Sequence, residues 1–175
     1  AKGLEIVEEF FGTALAGRLA AQGRRADLTA ANNVLAHVPD INDFTAGFTV
    51  LLADDGLATF EFPHLLRLLE ETQFDTIYHE HLSYFSLHAL DALVSRAGLI
   101  LTDVARIPIH GGSLRITCAA ATDPTGRARV EALLTEERAR GVDTPAFYED
   151  FGERVQALGE DLRATLTRLR GEGAR

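Results

Sequence analysis

Apolar and polar positions along this chain alternate between short runs typical of strands and longer stretches at helical spacing. The short runs predict strands over 4–11, 26–35, 57–62, 99–107 and 113–121. Apolar residues three and four positions apart predict four helices. Three cover 13–22, 64–72 and 87–97, and another ends at residue 52. Strand and helix therefore take turns as far as residue 97.

Residues with capping propensity mark the ends of the predicted helices. Asp40 or Asn42 can cap the helix that runs up to residue 52, and Ser86 can cap the helix that follows it. Gly23 and Gly98 follow two helices as C-terminal stops, because glycine adopts the left-handed conformation that a helix end needs.

The order of the elements predicts an α/β fold with a mainly parallel sheet. A His-Gly-Gly turn at 110–112 joins the last two strands into a terminal antiparallel hairpin. From residue 125 onward, apolar residues at helical spacing on charged faces predict C-terminal helices, over 131–140 and 144–169.

Composition narrows the class of function. The chain has 175 residues, 46% hydrophobic and 25% charged, which is ordinary for a globular domain, and its net charge of −9 argues against nonspecific binding of nucleic acid. The single cysteine, Cys118, excludes a disulfide framework or a Cys-rich zinc site within these residues. Without an apolar run of about 20 residues or a signal-peptide layout, we expect no membrane partner and a cytoplasmic location. The absence of methionine leads us to expect a trimmed chain that begins and ends inside a longer one.

The densest chemistry lies in the segment Tyr78-His79-Glu80-His81, with Tyr84 shortly after it. Histidine titrates near neutrality, and two histidines around a carboxylate suggest either a proton relay or a metal site. Ligands bind beyond the carboxyl ends of the strands in an open parallel sheet, and Asn32, Asn33 and His37 follow such an end. We therefore expect one crevice to hold both groups.

Four sequence blocks occur in a fixed order around this cluster. They are Asn-Asn-Val-Leu-Ala-His-Val-Pro-Asp at 32–40, Phe-Glu-Phe-Pro-His-Leu at 60–65, Phe-Asp-Thr-Ile-Tyr-His-Glu-His-Leu-Ser-Tyr-Phe-Ser at 74–86 and His-Gly-Gly-Ser-Leu-Arg at 110–115. Together they resemble the S-adenosylmethionine-dependent C-methyltransferases that branch nucleotide-linked keto-deoxysugars in antibiotic pathways. The resemblance is close over 1–121, whereas the helical tail is similar in character alone.

The resemblance implies a three-part parent protein with a class I methyltransferase core, which is Rossmann-like. Residues 1–121 would form the later half of that core, and 122–175 a helical connecting segment toward a C-terminal domain that the chain lacks. A structural zinc would belong to an N-terminal domain that is also absent. The implied cofactor is S-adenosylmethionine and the implied partner is a nucleotide-sugar substrate.

Methylation of carbon needs a base that removes a proton beside a ketone and a donor that stabilises the enolate oxygen. The resemblance gives the role of the base to His81, the second histidine of the Tyr-His-Glu-His motif. Glu80 would hold an imidazole or a sugar hydroxyl, while Tyr78 and His37 would contact the sugar carbonyl and the enolate. No metal is expected among these residues.

The cofactor would meet a different set of residues. Asn32 and Asn33 would face its methionyl part, and Glu9 and Phe10 lie where this fold usually meets adenine. The remaining histidines have plainer interpretations: His79 supports the loop, His64 and His88 are surface or packing residues, and His110 is either a turn residue or part of the substrate pocket.

Two other functions are compatible with the sequence. A metal-dependent hydrolase would use His37, His79, Glu80 and His81 as ligands, and a non-catalytic piece would serve only as a folded part of its parent. The sequence leaves open which sugar is used, whether C3 or C5 is methylated, whether this chain alone binds the cofactor, and the oligomeric state.

Overall fold

A computed structural model of the protein describes residues 3–120 and 127–173. The helices are α1 Thr13–Ala21, α2 Ile41–Leu51, α3 Leu65–Glu70, α4 Leu87–Arg96, α5 Ala128–Ala139 and α6 Phe151–Gly171. The strands are β1 Ala26–Asn32, β2 Leu52–Pro63, β3 Ile100–Ile107 and β4 Ser113–Ala119. Short 3₁₀ turns lie at Leu35–His37, Phe74–Thr76 and Pro145–Tyr148.

The four strands form one open sheet in the order β1-β2-β4-β3. β1 and β2 are parallel, and β4 runs antiparallel to both of its neighbours. Three strands therefore point the same way and the fourth is the returning arm of the hairpin. This arrangement confirms the predicted α/β class and the terminal hairpin, within a sheet that is mixed because only β1 and β2 pair in parallel. The predicted C-terminal helices follow as α5 and α6.

The hydrophobic core lies against one face of the sheet. Alternate residues of β2 and β4 point into it, among them Phe60, Phe62, Leu114 and Ile116, all of them buried. Helices α2, α4 and α5 cover this face with leucine, valine and phenylalanine side chains. Burial of each such side chain stabilises the fold by about 1.5–3 kcal/mol.

Local hydrogen bonds fix the helix ends as the sequence predicts. Of the two candidate caps for α2, Asp40 is the cap, because its side chain accepts from the backbone N–H of Asp43 at 3.0 Å. The hydroxyl of Ser86 accepts from the N–H of Ala89 at 3.1 Å and begins α4. Gly98 ends that helix with φ of +80°.

Two predicted elements differ from the structure. The run 4–11 forms no strand, because no neighbouring strand in the described ranges pairs with it, and Leu4 stays exposed. The predicted strand 57–62 begins earlier, at Leu52, and β2 bulges before Leu57, since the register passes from Ala26–Leu52 to Leu28–Leu57. Gly56 is required there, because a Cβ would lie 2.6 Å from the carbonyl oxygen of Ala26.

Helices α5 and α6 differ in packing. α5 places its apolar stripe against the core, whereas α6 has no buried residue. None of the helices in the described ranges is both long enough and apolar enough to cross a lipid bilayer.

Candidate active site

Two parallel strands bring the candidate residues together. β1 and β2 end at Asn32 and Pro63, so the segments that follow them lie at the same edge of the sheet. A cavity of about 270 Å³ opens at this edge. It is lined by Asn33, Ala36, His37, Phe62, Pro63, Asp75, Thr76, Tyr78, His81 and His110.

His81 is held by a hydrogen bond on each ring nitrogen. Nδ1 lies 2.8 Å from the carbonyl oxygen of Thr76, which can only accept, so Nδ1 carries the proton. Nε2 lies 3.1 Å from the hydroxyl of Tyr78. In the neutral imidazole Nε2 is then the acceptor and the phenol is the donor. The structure thus presents an imidazole–phenol pair whose basic nitrogen faces the cavity residue Tyr78.

His37 adopts the same tautomer as His81, but its Nε2 has a different environment. Its Nδ1–H donates to the backbone carbonyl of Glu80 at 2.9 Å, and within the described part of the chain no hydrogen bond reaches its Nε2. The rings of His37 and His81 lie 4.8 Å apart between centroids. One imidazole is therefore tied at both nitrogens, and its neighbour has a nitrogen free for a ligand.

The loop that carries Tyr78 and His81 is fastened to the segment after β1. The N–H groups of Leu82 and Ser83 both donate to the carbonyl of Ala36, at 2.7 and 3.3 Å. These bonds explain how residues about forty positions apart in sequence come to share one cavity. Backbone carbonyls carry no signature in the sequence, so the anchoring role of Thr76 was not predicted.

The structure keeps several predicted residues away from the cavity. The side chain of Glu80 is exposed, and this residue contributes its backbone carbonyl to the site instead. Asn32 is exposed and does not line the cavity, whereas Asn33, with φ of +54°, does. Glu9 pairs with Arg18, and Phe10 is 99% exposed. The roles given to these residues toward substrate and cofactor stay predictions.

The other histidines differ in exposure and in whether they line the cavity. His79 and His88 are exposed and neither lines the cavity, whereas His110 does, with φ of +51°. His64 is a packing residue, 1% exposed and bonded to Glu137.

The side chains of Glu61 and Arg115 form a pair on neighbouring strands. Glu61 is almost fully buried, and its Oε2 accepts from Nε and Nη2 of Arg115 at 3.0 and 2.6 Å. The guanidinium of Arg115 is therefore already partnered by a carboxylate.

A larger cavity of about 400 Å³ lies beside the hairpin turn, and its arginines and carboxylates are engaged in ion pairs. Arg106 pairs with Glu136 at 2.6 Å and Arg140 with Glu70 at 2.8 Å. The hydrogen bond from Arg106 holds the pKa of the Glu136 carboxyl below its ordinary value. Because these charged side chains bind one another, whereas His37 and His81 line the smaller cavity together, we take the smaller cavity as the candidate active site.

The metal-ligand hypothesis finds no supporting geometry in residues 3–120 and 127–173. There, no three histidine, cysteine or acidic side chains converge as a group that could hold a metal ion.

Comparison with known proteins places the chain in a class. The family model described as a methyltransferase domain matches residues 6–104, which is more than half of the chain, so the chain belongs to the methyltransferase domain family. A second model, described as the C-methyltransferase C-terminal domain, matches residues 108–175. The predicted resemblance to methyltransferases is confirmed.

One curated relative is the C-methyltransferase NovU of Streptomyces niveus. It is 39% identical over 165 residues, a match that covers 92% of this chain and 39% of NovU. The resemblance to C-methyltransferases is thereby confirmed. The chain spans about two fifths of the length of this relative.

Solved structures give partial likenesses. The crystal structure of TnmH is 22% identical with a TM-score of 0.45, over 55% of this chain and 31% of TnmH. CalO1, a methyltransferase in calicheamicin biosynthesis in its SAH-bound form, is 15% identical with a TM-score of 0.46, over 55% of this chain and 31% of CalO1.

Proposed function

We propose that the protein containing this chain transfers a methyl group from S-adenosylmethionine to a carbon of a nucleotide-linked keto-deoxysugar. One observation carries the proposal: in a chain of the methyltransferase family, an imidazole–phenol pair and a second imidazole with a free nitrogen line one cavity at the strand ends. The match to the C-methyltransferase C-terminal domain and the similarity to NovU favour carbon over oxygen as the acceptor.

His81 has the arrangement that a general base needs. The Thr76 carbonyl holds its Nδ1–H and stabilises the imidazolium that forms when Nε2 takes a proton. The substrate displaces the Tyr78 hydroxyl from Nε2, and the proton beside the ketone moves to that nitrogen. The displaced hydroxyl then donates to the enolate oxygen, where a positioned donor contributes most.

His37 has a narrower role than the sequence suggested. With Nδ1–H committed to the Glu80 carbonyl, its Nε2 can accept from a sugar hydroxyl, and it can donate to an enolate oxygen only as the imidazolium. The side chain of Glu80, exposed in this chain, is free to reach a substrate held above the cavity.

The fit of the cofactor to this chain depends on the end of β1. Asn33 follows the strand in a left-handed conformation and lines the cavity, so it and the neighbouring Asn32 are the residues here that would hold the methionyl part. When bound, S-adenosylmethionine supplies an electrophilic methyl group. The side chains of this chain would orient the ketone and hold the proton removed from it.

The division of the chain follows from the same proposal. Residues 1–121 are the later half of a methyltransferase core, and 122–175 are a helical connecting segment. The parent would act in the cytoplasm on a soluble nucleotide-sugar.

The test uses the protein that contains this chain, methyl-¹³C-labelled S-adenosylmethionine and a dTDP-linked keto-deoxysugar. We expect a ¹³C methyl signal bonded to a sugar carbon and a loss of turnover of roughly 10²–10⁴-fold in His81→Asn. His88→Asn, at an exposed position outside the cavity, is the matched control and should keep its turnover. An oxygen-bonded methyl group would overturn the proposed function. Undiminished turnover in His81→Asn would overturn the role of His81 as the base.

A further inference from the structure

The loop that carries Tyr78 and His81 is closed at its base. Between the end of β2 and the start of α4 the chain makes an excursion over residues 64–86, and its two flanks meet. His64 and Phe85 form a parallel bridge, and the N–H of Leu65 donates to the carbonyl of Phe85 at 2.9 Å. Whatever holds this junction also holds the loop above it.

One carboxylate from α5 holds both flanks of the junction. Oε1 of Glu137 accepts from the N–H of Leu87 at 2.7 Å and from Nε2 of His64 at 2.8 Å. Oε2 accepts from the N–H of His88 at 2.8 Å. The side chain of Glu137 is 0% exposed, so these bonds form away from water.

Stability alone is a weak reason to bury such a group. A buried carboxylate is costly to desolvate, and well-packed apolar side chains of similar volume are often as stabilising or more so. Glu137 continues the apolar stripe of α5, formed by Val130, Leu133 and Leu134, where a leucine would pack. Its hydrogen bonds reach the first turn of α4 and the residue before α3, which lie on the two sides of the loop.

A second contact from the C-terminal helices points to the same arrangement. Nη1 of Arg154, on α6, donates to the carbonyl of Leu69 at 2.5 Å and to the hydroxyl of Thr72 at 3.2 Å. Thr72 lies in the turn that follows α3 and has φ of +52°. The entry to the loop is thus held by α6, and its base by α5.

We propose that Glu137 is a positioning residue for the catalytic pair: it fixes the flanks of the loop so that Tyr78 and His81 stay beside His37. The inference rests on the proposed function, because it gives Glu137 a role in methyl transfer as well as in folding. It also makes the C-terminal helices part of the support of the site, and residues 108–175 are those matched by the C-methyltransferase C-terminal model.

The test compares Glu137→Gln with Glu131→Gln in the protein that contains this chain. Glu131 lies on the same helix and is exposed, with one ion pair to Arg127. We measure kcat, KM and the hydrogen exchange of residues 73–86, all at a temperature well below the unfolding midpoint of each variant. For Glu137→Gln we expect kcat to fall by about 10- to 100-fold, since small misplacements of reacting groups have effects of that size. KM should change by less than about twofold, because the cavity walls that bind substrate remain, and exchange in 73–86 should accelerate.

A purely structural role would give a different pattern. If Glu137→Gln lowers the unfolding midpoint but keeps the kcat and the loop exchange of Glu131→Gln, the proposal is wrong. If Glu137→Gln does not fold, His64→Leu takes its place, since leucine has no donor for Oε1 and leaves both amide contacts of Glu137. His64→Leu should accelerate exchange in 73–86 and lower kcat by a smaller factor, and unchanged exchange would overturn the proposal. Absence of methyl transfer by the unmodified protein would instead count against the proposed function, and the exchange measurement would still decide the role of Glu137.

Discussion

Two histidine-centred clusters involve the same loop, one at its base and one on the loop itself. They differ in burial and in the partners of their hydrogen bonds. His64 and Glu137 are 1% and 0% exposed, and the three hydrogen bonds of the carboxylate all stay inside the protein. His81 and Tyr78 line a cavity, and Tyr78 is 43% exposed. Close to them, His37 presents a ring nitrogen that no other described residue bonds.

The contrast shows that the burial of a histidine does not indicate whether it can bind a ligand or only hold other residues in place. Both oxygens of the buried Glu137 carboxylate are bonded to internal donors, so this carboxylate holds other groups in place. The exposed cluster holds its rings by Nδ1–H bonds to carbonyls and leaves the Nε2 side toward the cavity. Mutation of the first cluster should therefore change stability, loop order and, through the loop, turnover. Mutation of the second cluster should change mainly turnover.

The largest effect on stability is expected from His64→Ala. This change removes the donor to Oε1 and leaves the carboxylate of Glu137 buried with only two backbone partners. Loss of one partner of a buried pair typically lowers the free energy of unfolding by about 3–5 kcal/mol. Urea denaturation measures it, with His88→Ala at an exposed position as the control. A loss within about 0.5 kcal/mol, the range of ordinary surface changes, would remove the distinction between the two clusters.

The opposite behaviour is expected from Tyr78→Phe. The change deletes the hydroxyl beside Nε2 of His81 and the donor proposed for the enolate oxygen, while the ring stays in place. We expect turnover to fall by roughly 10²–10³-fold, as for loss of an oxyanion donor. The free energy of unfolding should change by about 1 kcal/mol or less, because a half-exposed hydroxyl can bond to water instead.

Tyr148→Phe gives the matched control for Tyr78→Phe. The hydroxyl of Tyr148 donates to the carbonyl of Val142, and this residue lies outside the cavity. Its loss should leave turnover unchanged. Equal turnover in Tyr78→Phe and Tyr148→Phe would show that the phenol beside His81 takes no part in the reaction.

The sequence was sufficient for whatever depends on local pattern or on strand order. Asp40 and Ser86 are caps because a short polar side chain precedes an apolar helical run, and both are confirmed. His37 and His81 were expected in one crevice because each follows a strand of the same parallel pair, and the structure brings their rings within 4.8 Å.

What the sequence did not reveal depends on partners distant along the chain. Glu137 lies in a run that looks like a solvated charged face, and nothing local says that it turns inward while Glu136 pairs with Arg106 at the surface. One signal could have found it: Val130, Leu133, Leu134 and Glu137 share the spacing of one helix face. The expected strand over 4–11 failed for the same reason, because a strand is stable only beside another.

The smallest effect, and the one that best separates local from distant support, is expected from Ser86→Ala. The first turn of α4 is held twice, by the Ser86 hydroxyl at Ala89 and by Glu137 at Leu87 and His88. Loss of an N-cap hydroxyl lowers the free energy of unfolding by about 1 kcal/mol. Turnover and exchange in 73–86 should stay unchanged, because Glu137 still holds both flanks of the loop. Urea denaturation and the methyl-transfer assay on one preparation measure both quantities. A fall in kcat as large as that of Glu137→Gln would mean that any weakening of α4 disturbs the loop. The positioning role proposed for Glu137 would then be unsupported.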